Sequence, residues 1–254
     1  MGTINQKGVL RKPMNSEKVF PIILLIARPA AGKSEVIHYL SNLPKKERAD
    51  VFHIGSLKSI DDFPFLWRWF EEDELLEKIG RERLFTDPQG YFKDNYLWDL
   101  LIKLINLDFM KYSRLNDQAA EDGTVLLEFS RGKEHGGYRH ALPLLSDDIL
   151  KNLSILYINV PWEESLRKNR SRFNPEKPDS ILQHSLPDEK LERLYRECDF
   201  MEMARAPAGK LRIREFDVPY AIFENADDVT TGMGSALGAR LKETLQALWE
   251  VRLT

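Results

Sequence analysis

The stretch from Pro21 to Leu43 reads PIILLIARPAAGKSEVIHYLSNL, and its interpretation decides the fold. It opens on the apolar run Ile22 to Ile26, short and rich in β-branched residues, as a strand buried on both faces should be. The turn Ala27-Arg28-Pro29-Ala30-Ala31-Gly32-Lys33-Ser34 follows, and beyond it Val36, Ile37, Tyr39, Leu40 and Leu43 recur at helical spacing. Strand, small-residue loop and helix come in the order that a phosphate cradle requires. Backbone N–H groups and the positive end of a helix can surround a polyphosphate only where side chains leave room, so Pro29 through Glu35 is the expected nucleotide-contacting segment, with Ala30, Ala31 and Gly32 at its centre. Lys33 then reaches the outer phosphates as a point charge, and the Ser34 hydroxyl at the helix start is placed to ligate Mg²⁺. The segment matches the pattern G-x-x-x-x-G-K-[ST] except at its first position, where Ala27 stands for glycine.

A chain of 254 residues is long enough for one sizeable α/β domain with insertions. A formal net charge of -3, with 30% charged and 43% hydrophobic residues, points away from nucleic acid or an anionic membrane as principal partner. The single cysteine, Cys198, excludes an intramolecular disulfide and reads as a bystander thiol. Residues 1–20 lack the apolar core of a signal peptide, residues 1–18 read as a polar lead-in, and no later stretch is long and uncharged enough to span a bilayer, so the expected location is cytoplasmic.

Outward from the first strand and helix, Val51-Phe52-His53-Ile54-Gly55 reads as a second strand. Ligands of open α/β sheets sit beyond the carboxyl ends of the strands, which makes Asp61 and Asp62 candidates for holding an acceptor hydroxyl or taking its proton. An Asx turn or helix cap before Phe63-Pro64 accounts for the same pair equally well. From Phe65 to Phe85 an aromatic cluster runs into Glu71-Glu72-Asp73-Glu74, which reads as a solvated helix start. The run Tyr96 to Met110 is apolar nearly all round, with a stripe of Asp99, Lys103 and Asn106, so it is expected either between layers or against a partner subunit of a homo-oligomer. Trp67, Trp69 and Trp98 read as core rather than as an acceptor pocket.

Val125 to Gly132, VLLEFSRG, is an apolar strand ending in a carboxylate, which puts Glu128 opposite Ser34 as a second Mg²⁺ contact and Arg131 at the same edge, able to bind an anionic acceptor or a transferring phosphoryl group. Gly132 to Tyr138 reads as a flexible loop carrying His135, and neither His135 nor His140 has the companions of a metal site. Leu153 to Val160 is a further buried strand, leading into a helix on which Arg167 and Arg170 share a face and can converge on one phosphate, with Arg172 nearer the following loop. Residues 174–210 read as a long connection with a lid, Tyr220 to Phe223 as a last strand, and Leu237, Leu241, Leu245 and Leu248 as the sheet-facing stripe of a closing helix.

Taken together, ARPAAGKS, LLEFSRG, ILYINVPWEESLRKNRSR and IFENADD resemble the P-loop kinases of the nucleoside and nucleotide kinase type. The resemblance implies a three-layer α/β P-loop fold with a five-stranded parallel sheet ordered 2-3-1-4-5, a helical acceptor-binding insertion over about residues 57–120 and a lid over about 161–210. It also implies ATP and Mg²⁺, a small-molecule phosphoryl acceptor, Arg131 toward that acceptor, Arg167, Arg170 and Arg172 toward the transition state, and Asn225 near the base. This chain has neither the D-G-x-P-R run of adenylate-kinase-like enzymes nor the Glu-Arg-Ser of deoxynucleoside kinases at Glu128-Phe129-Ser130-Arg131, and the acceptor stays unassigned. An NTPase or nucleotide-dependent switch with a protein partner is the alternative reading, although no N-K-x-D motif is present.

Overall fold

The computed structural model describes residues 18–115, 122–172 and 185–254. Its centre is β1 (Ile22–Ala27), in which every residue is buried. Ile22, Leu24 and Ile26 face one hydrophobic cluster while Ile23, Leu25 and Ala27 face another. That alternation explains why the strand is apolar throughout: both faces of the sheet are covered, giving three layers.

The sheet has six strands: β1, β2 (Ser56–Asp61), β3 (Gly123–Phe129), β4 (Leu153–Asn159), β5 (Ala208–Ile213) and β6 (Phe216–Glu224), in the order β2-β3-β1-β4-β6-β5. Five of them are mutually parallel, and β5 joins β6 antiparallel through a tight hairpin. The expected order 2-3-1-4-5 therefore describes the parallel part and is corrected by one extra strand at the β6 edge. The expected second strand is also corrected, because Val51 and Phe52 end a helix and the strand begins at Ser56. As an edge strand β2 buries only Ile60 and carries little of the apolar signal by which strands are recognised.

One face is covered by α1 (Lys33–Asn42), α2 (Lys45–Phe52) and, in the last stretch of the chain, the helix Ser235–Leu253, whose Leu237, Leu241, Leu245 and Leu248 are fully buried as their spacing predicts. On the other face, after α3 (Phe63–Lys78), lies α4 (Tyr96–Leu115), which packs Ile102, Ile105 and Phe109 against the strands. The polar stripe of α4 is a clasp: Asp99 meets His140 at 2.8 Å, Lys103 and Asn106 donate to the Leu144 carbonyl, and Asn106 accepts from the Ser146 N–H. The helical insertion thus starts after Asp61, and its acidic run lies inside α3, where Asp73 is fully buried.

Gly132 to Tyr138 is not the expected open loop. It forms a 3₁₀ turn at Lys133–His135 that leads into a short helix, Gly137–Ala141, whose Tyr138 and Arg139 N–H groups bond the Asp199 carboxylate. Beyond β4, α5 (Trp162–Arg172) and α6 (Asp188–Tyr195) occupy the segment read as a lid; its residues 173–184, and the lead-in through residue 17, lie outside the described residues. Gly132 fits because it has no side chain: a Cβ there would lie 1.8 Å from the Leu194 carbonyl oxygen at the end of α6. Gly132→Ala is expected to push α6 off the tip of β3 and destabilise the protein by about 2 kcal/mol, read as a lower denaturation midpoint at an unchanged slope.

Among the described residues no helix is long and apolar enough to cross a membrane.

Candidate active site

Parallel pairing brings the carboxyl ends of three strands to one height. Leu25 is opposite Glu128, and Glu128 is opposite Asp61, so the tips of β1, β3 and β2 lie side by side. Beyond them opens a cavity of about 880 Å³, near the upper end for a small-molecule site, which is generally about 300–1,000 Å³. Pro29, Ala30, Ala31, Lys33, Ser34 and Arg172 line one end, Asp61, Asp62, Glu128 and Arg131 the middle, and aromatic residues of the insertion the other.

The loop between β1 and α1 is anchored from several sides. Ala30 and Gly32 both take left-handed backbone conformations, at φ 59° and 109°. Glycine tolerates that region freely, whereas the alanine is held there by its surroundings. Arg28, which the motif leaves as an arbitrary residue, donates to three carbonyls, those of Val160, Tyr195 and Arg196, fastening the loop to the end of β4 and to α6. Ser165 on α5 donates to the Pro29 carbonyl at 2.8 Å. Asn225 is fully buried and donates to the Ala31 carbonyl and to Thr230, so it supports the loop from behind and is not among the cavity-lining residues.

Lys33 crosses the cavity floor to donate to the Ser130 hydroxyl at 2.8 Å. Burial pulls its ammonium below the ordinary lysine value, and the nearby Glu128 and Asp61 carboxylates pull it back only in part. The carboxylates show the opposite imbalance. Burial, reinforced by Asp62, raises Asp61 to about 6, and burial, reinforced by Asp61, raises Glu128 to about 7. Asp61 also accepts from the Phe63 N–H at 3.0 Å, so the Asx-turn reading of the Asp pair holds in addition to its place in the cavity. Glu128 accepts from the Ser59 hydroxyl at 3.2 Å.

Asp62 and Arg131 meet each other. The buried guanidinium donates to the Asp62 carboxylate at 2.7 Å and to the carbonyls of Ser130 and Trp98, and it lies over the Trp98 and Phe129 rings. Burial raises the Asp62 carboxyl and Arg131 opposes that rise. The pair forms a wall of the cavity in which neither member is idle.

Of the three arginines expected to act together, only Arg172 lines the cavity, where it lies 3.7 Å from Glu35. Arg167 is tied to Glu164 and Asp228, and Arg170 to Asp188, so the convergence read from their helical spacing does not occur. Between them, by contrast, buried Lys168 bridges α5 to α1 and to the segment after β6: it donates to Asp228 and Thr230 and lies 3.9 Å from Glu35. The tryptophan reading holds for Trp69, stacked on Phe85 at 5.1 Å, and for Trp98, both in one buried cluster, although Trp98 also lines the cavity; it is corrected for part-buried Trp67, which lines the cavity as well. His135 stacks on Trp98 at 4.5 Å with both ring nitrogens buried and without hydrogen-bond partners, and burial lowers its pKa, leaving it neutral.

The raised carboxylates set a pH dependence of stability. A carboxyl that keeps its proton longer in the folded chain stabilises it below the unfolded value, about 4, and that stability is lost as pH rises through about 6 and 7. Glu128→Gln removes one of the two facing groups. It is expected to match the parent at pH 4 and to exceed it by on the order of 2 kcal/mol at pH 8, read by urea unfolding at both values.

No protein-family model and no curated protein match this sequence. Among solved structures, TT1252 from Thermus thermophilus aligns at 18% identity and TM-score 0.39, over 93% of this chain and 100% of its own. An unliganded sugar kinase from Janibacter sp. HTCC2649 aligns at 12% identity and TM-score 0.41, over 91% of this chain and 96% of its own. Similarity at this level carries no argument about activity.

Proposed function

We propose that this chain is a P-loop kinase, which transfers the terminal phosphoryl group of ATP to a small-molecule acceptor. The main support is one observation: Lys33, Asp61, Glu128 and Arg131, from the tips of three adjacent parallel strands, line a single cavity with the left-handed loop at its end. The residues fit a polyphosphate and its cation. A loop with left-handed residues at Ala30 and Gly32 can turn its N–H groups into a concavity for anions, and the buried ammonium and carboxylates are each short of the opposite charge. Ser34 and Glu128 would hold Mg²⁺, which when bound neutralises charge on the phosphates.

In this reading Lys33 binds the outer phosphates, and Arg172 is the arginine that faces them. Asp62 is committed to Arg131, which leaves Asp61 as the carboxylate able to accept a proton. The acceptor hydroxyl gives its proton to Asp61 as its oxygen bonds to the terminal phosphorus, and the bond from that phosphorus to the bridging oxygen breaks, releasing ADP. Arg167 and Arg170 take no part, and Asn225 holds the loop.

A panel of nucleosides, nucleotides and sugars incubated with ATP and Mg²⁺, with formation of phosphorylated product followed directly, tests the reading. Product from at least one compound is expected. Steady phosphate release with no acceptor consumed would replace it with the NTPase or switch reading, and ATP binding without turnover of any kind would overturn both.

A further inference from the structure

The loop between β1 and α1 is held from behind by side chains that the pattern G-x-x-x-x-G-K-[ST] does not include. Its carbonyls at Ala27, Pro29 and Ala31, every second residue, each accept a hydrogen bond from a different element. Tyr138, on the short helix after β3, donates to Ala27 at 3.1 Å, Ser165 on α5 to Pro29 at 2.8 Å, and Asn225 beyond β6 to Ala31 at 2.9 Å. All three donors are fully buried, and none lines the cavity, whereas Pro29, Ala30 and Ala31 do.

A carbonyl and the N–H that follows it lie on opposite edges of one planar peptide unit, so a carbonyl drawn away from the cavity turns its N–H toward it. The bond to Pro29 fixes the unit that precedes Ala30, and the bond to Ala31 fixes the unit that precedes Gly32. These are the two left-handed residues of the loop, at φ 59° and 109°. Alanine does not take that conformation by preference, and without the bond to Pro29 it would turn back and swing its N–H away. Neither the Ala30 nor the Gly32 N–H has an acceptor among the described residues. Ala27, which stands where the pattern has glycine, keeps a strand conformation opposite Ile158, and Tyr138 holds its carbonyl there.

We infer that Tyr138 and Ser165 are positioning residues of the loop, which with Asn225 keep its N–H groups turned toward a polyphosphate before one arrives. The inference rests on the loop being the polyphosphate site, and does not depend on transfer.

Isothermal titration of the full chain with inorganic tripolyphosphate and with ATP, each with Mg²⁺, provides the test, at a temperature at which every variant is folded. Ser165→Ala and Tyr138→Phe, which remove a hydroxyl and little else, are each expected to weaken both ligands about fivefold, the size of one lost neutral hydrogen bond. Tyr157→Phe is the control. It removes a hydroxyl from the same buried cluster, 6.3 Å from Tyr138 between ring centres, whose contact is Cys198 and not the loop, and it is expected to change both affinities less than twofold. Adding Ala30→Gly to Ser165→Ala is expected to recover at least twofold of the lost affinity, because glycine takes the left-handed conformation without help. Unchanged affinity in either hydroxyl variant, an equal loss in Tyr157→Phe, or no recovery with Ala30→Gly would overturn the inference. A parent chain that does not bind tripolyphosphate would overturn the loop reading and the inference with it. Affinities that shift as expected, in a chain that phosphorylates no compound of the panel, would sink the kinase reading and leave the inference standing.

Discussion

Lys33→Ala is expected to lower kcat/KM for phosphoryl transfer by about 10³-fold and to weaken ATP binding, with the melting temperature at or above that of the parent. The two effects have one cause. In the free protein the ammonium is buried, opposed only in part by Glu128 and Asp61, so removing it relieves a desolvation cost while it removes the one side chain that crosses from α1 to the Ser130 hydroxyl. A phosphate group meeting that ammonium in a water-poor cavity gains far more than it would in bulk solvent, and loss of a single preorganised donor in such a site generally costs about 10²–10³-fold. Isothermal titration with ATP and a direct transfer assay check the two halves separately. If the variant retained transfer within tenfold of the parent, the loop from Ala27 to Ser34 would not be the phosphate site. Ser130→Ala is a useful companion: it frees the ammonium without deleting it and should cost much less.

What could be read from the chain follows from where information is local. The loop at Ala27 to Ser34 stands out because its residue types match, at fixed intervals, a pattern that polyphosphate binding generally imposes, and the central strands stand out because burial on both faces demands an unbroken apolar run. Glu128 and Asp61 follow from the rule that strand tips face a ligand, Asp61 by way of a strand expected too early at Val51 to Gly55, and the register sets the two side by side. Edge strands carry no such mark. In β2 the residues SLKSID bury a single isoleucine, and the apolar weight of that region falls on Phe52 and Ile54, which belong to the end of α2 and its exit. In β5, Leu211 and Ile213 alternate with exposed Lys210 and Arg212, a half-buried strand pattern too short to stand out beside the longer, more apolar β6.

Helical spacing misled at the arginines for a physical reason. Arg167 and Arg170 do share a face of α5, but their partners come from other elements: Asp228 lies after β6 and Asp188 begins α6. Spacing reports which side chains are neighbours on a helix and says nothing about which carboxylates the rest of the chain brings to them. The same limit hid Arg28, Lys168 and the Asp62–Arg131 pair, whose roles depend on partners from 60 to 168 residues away in sequence.

Asp73→Ala is expected to be the most damaging substitution outside the phosphate end, destabilising the protein by about 4 kcal/mol and lowering its melting temperature by roughly 10 °C. Within the run Glu71-Glu72-Asp73-Glu74 three side chains meet water or each other's neighbours, but Asp73 is fully buried. Its two oxygens accept from the Leu84, Phe85 and Thr86 N–H groups and from the Thr86 hydroxyl. Those donors belong to the connection that returns from α3 to α4, where Phe92 packs on Trp98 and Tyr91 lines the cavity, so one carboxylate ties the aromatic wall of the cavity to its helix. Deleting it leaves four donors without that acceptor, the buried Thr86 N–H and hydroxyl and the part-buried Leu84 and Phe85 N–H groups, the buried two carrying the larger desolvation cost. These hydrogen bonds hold the carboxyl below its ordinary value against the opposing effect of burial, so the stability they provide is complete above about pH 4 and is lost as pH falls further, through the folded-state value. Asp73→Asn keeps the shape without the charge, and it is expected to lose part of the stability at pH 7 and to flatten the acid limb of the profile. Chemical denaturation at pH 7 and at pH 3.5 separates the two variants. Binding adds a local signature: ATP affinity at the Lys33 end should change little in Asp73→Asn, while affinity at the aromatic wall falls. Equal losses at both ends would mean that the insertion and the loop from Ala27 to Ser34 form one cooperative unit and that the Asp73 hydrogen bonds do not act on the aromatic side alone.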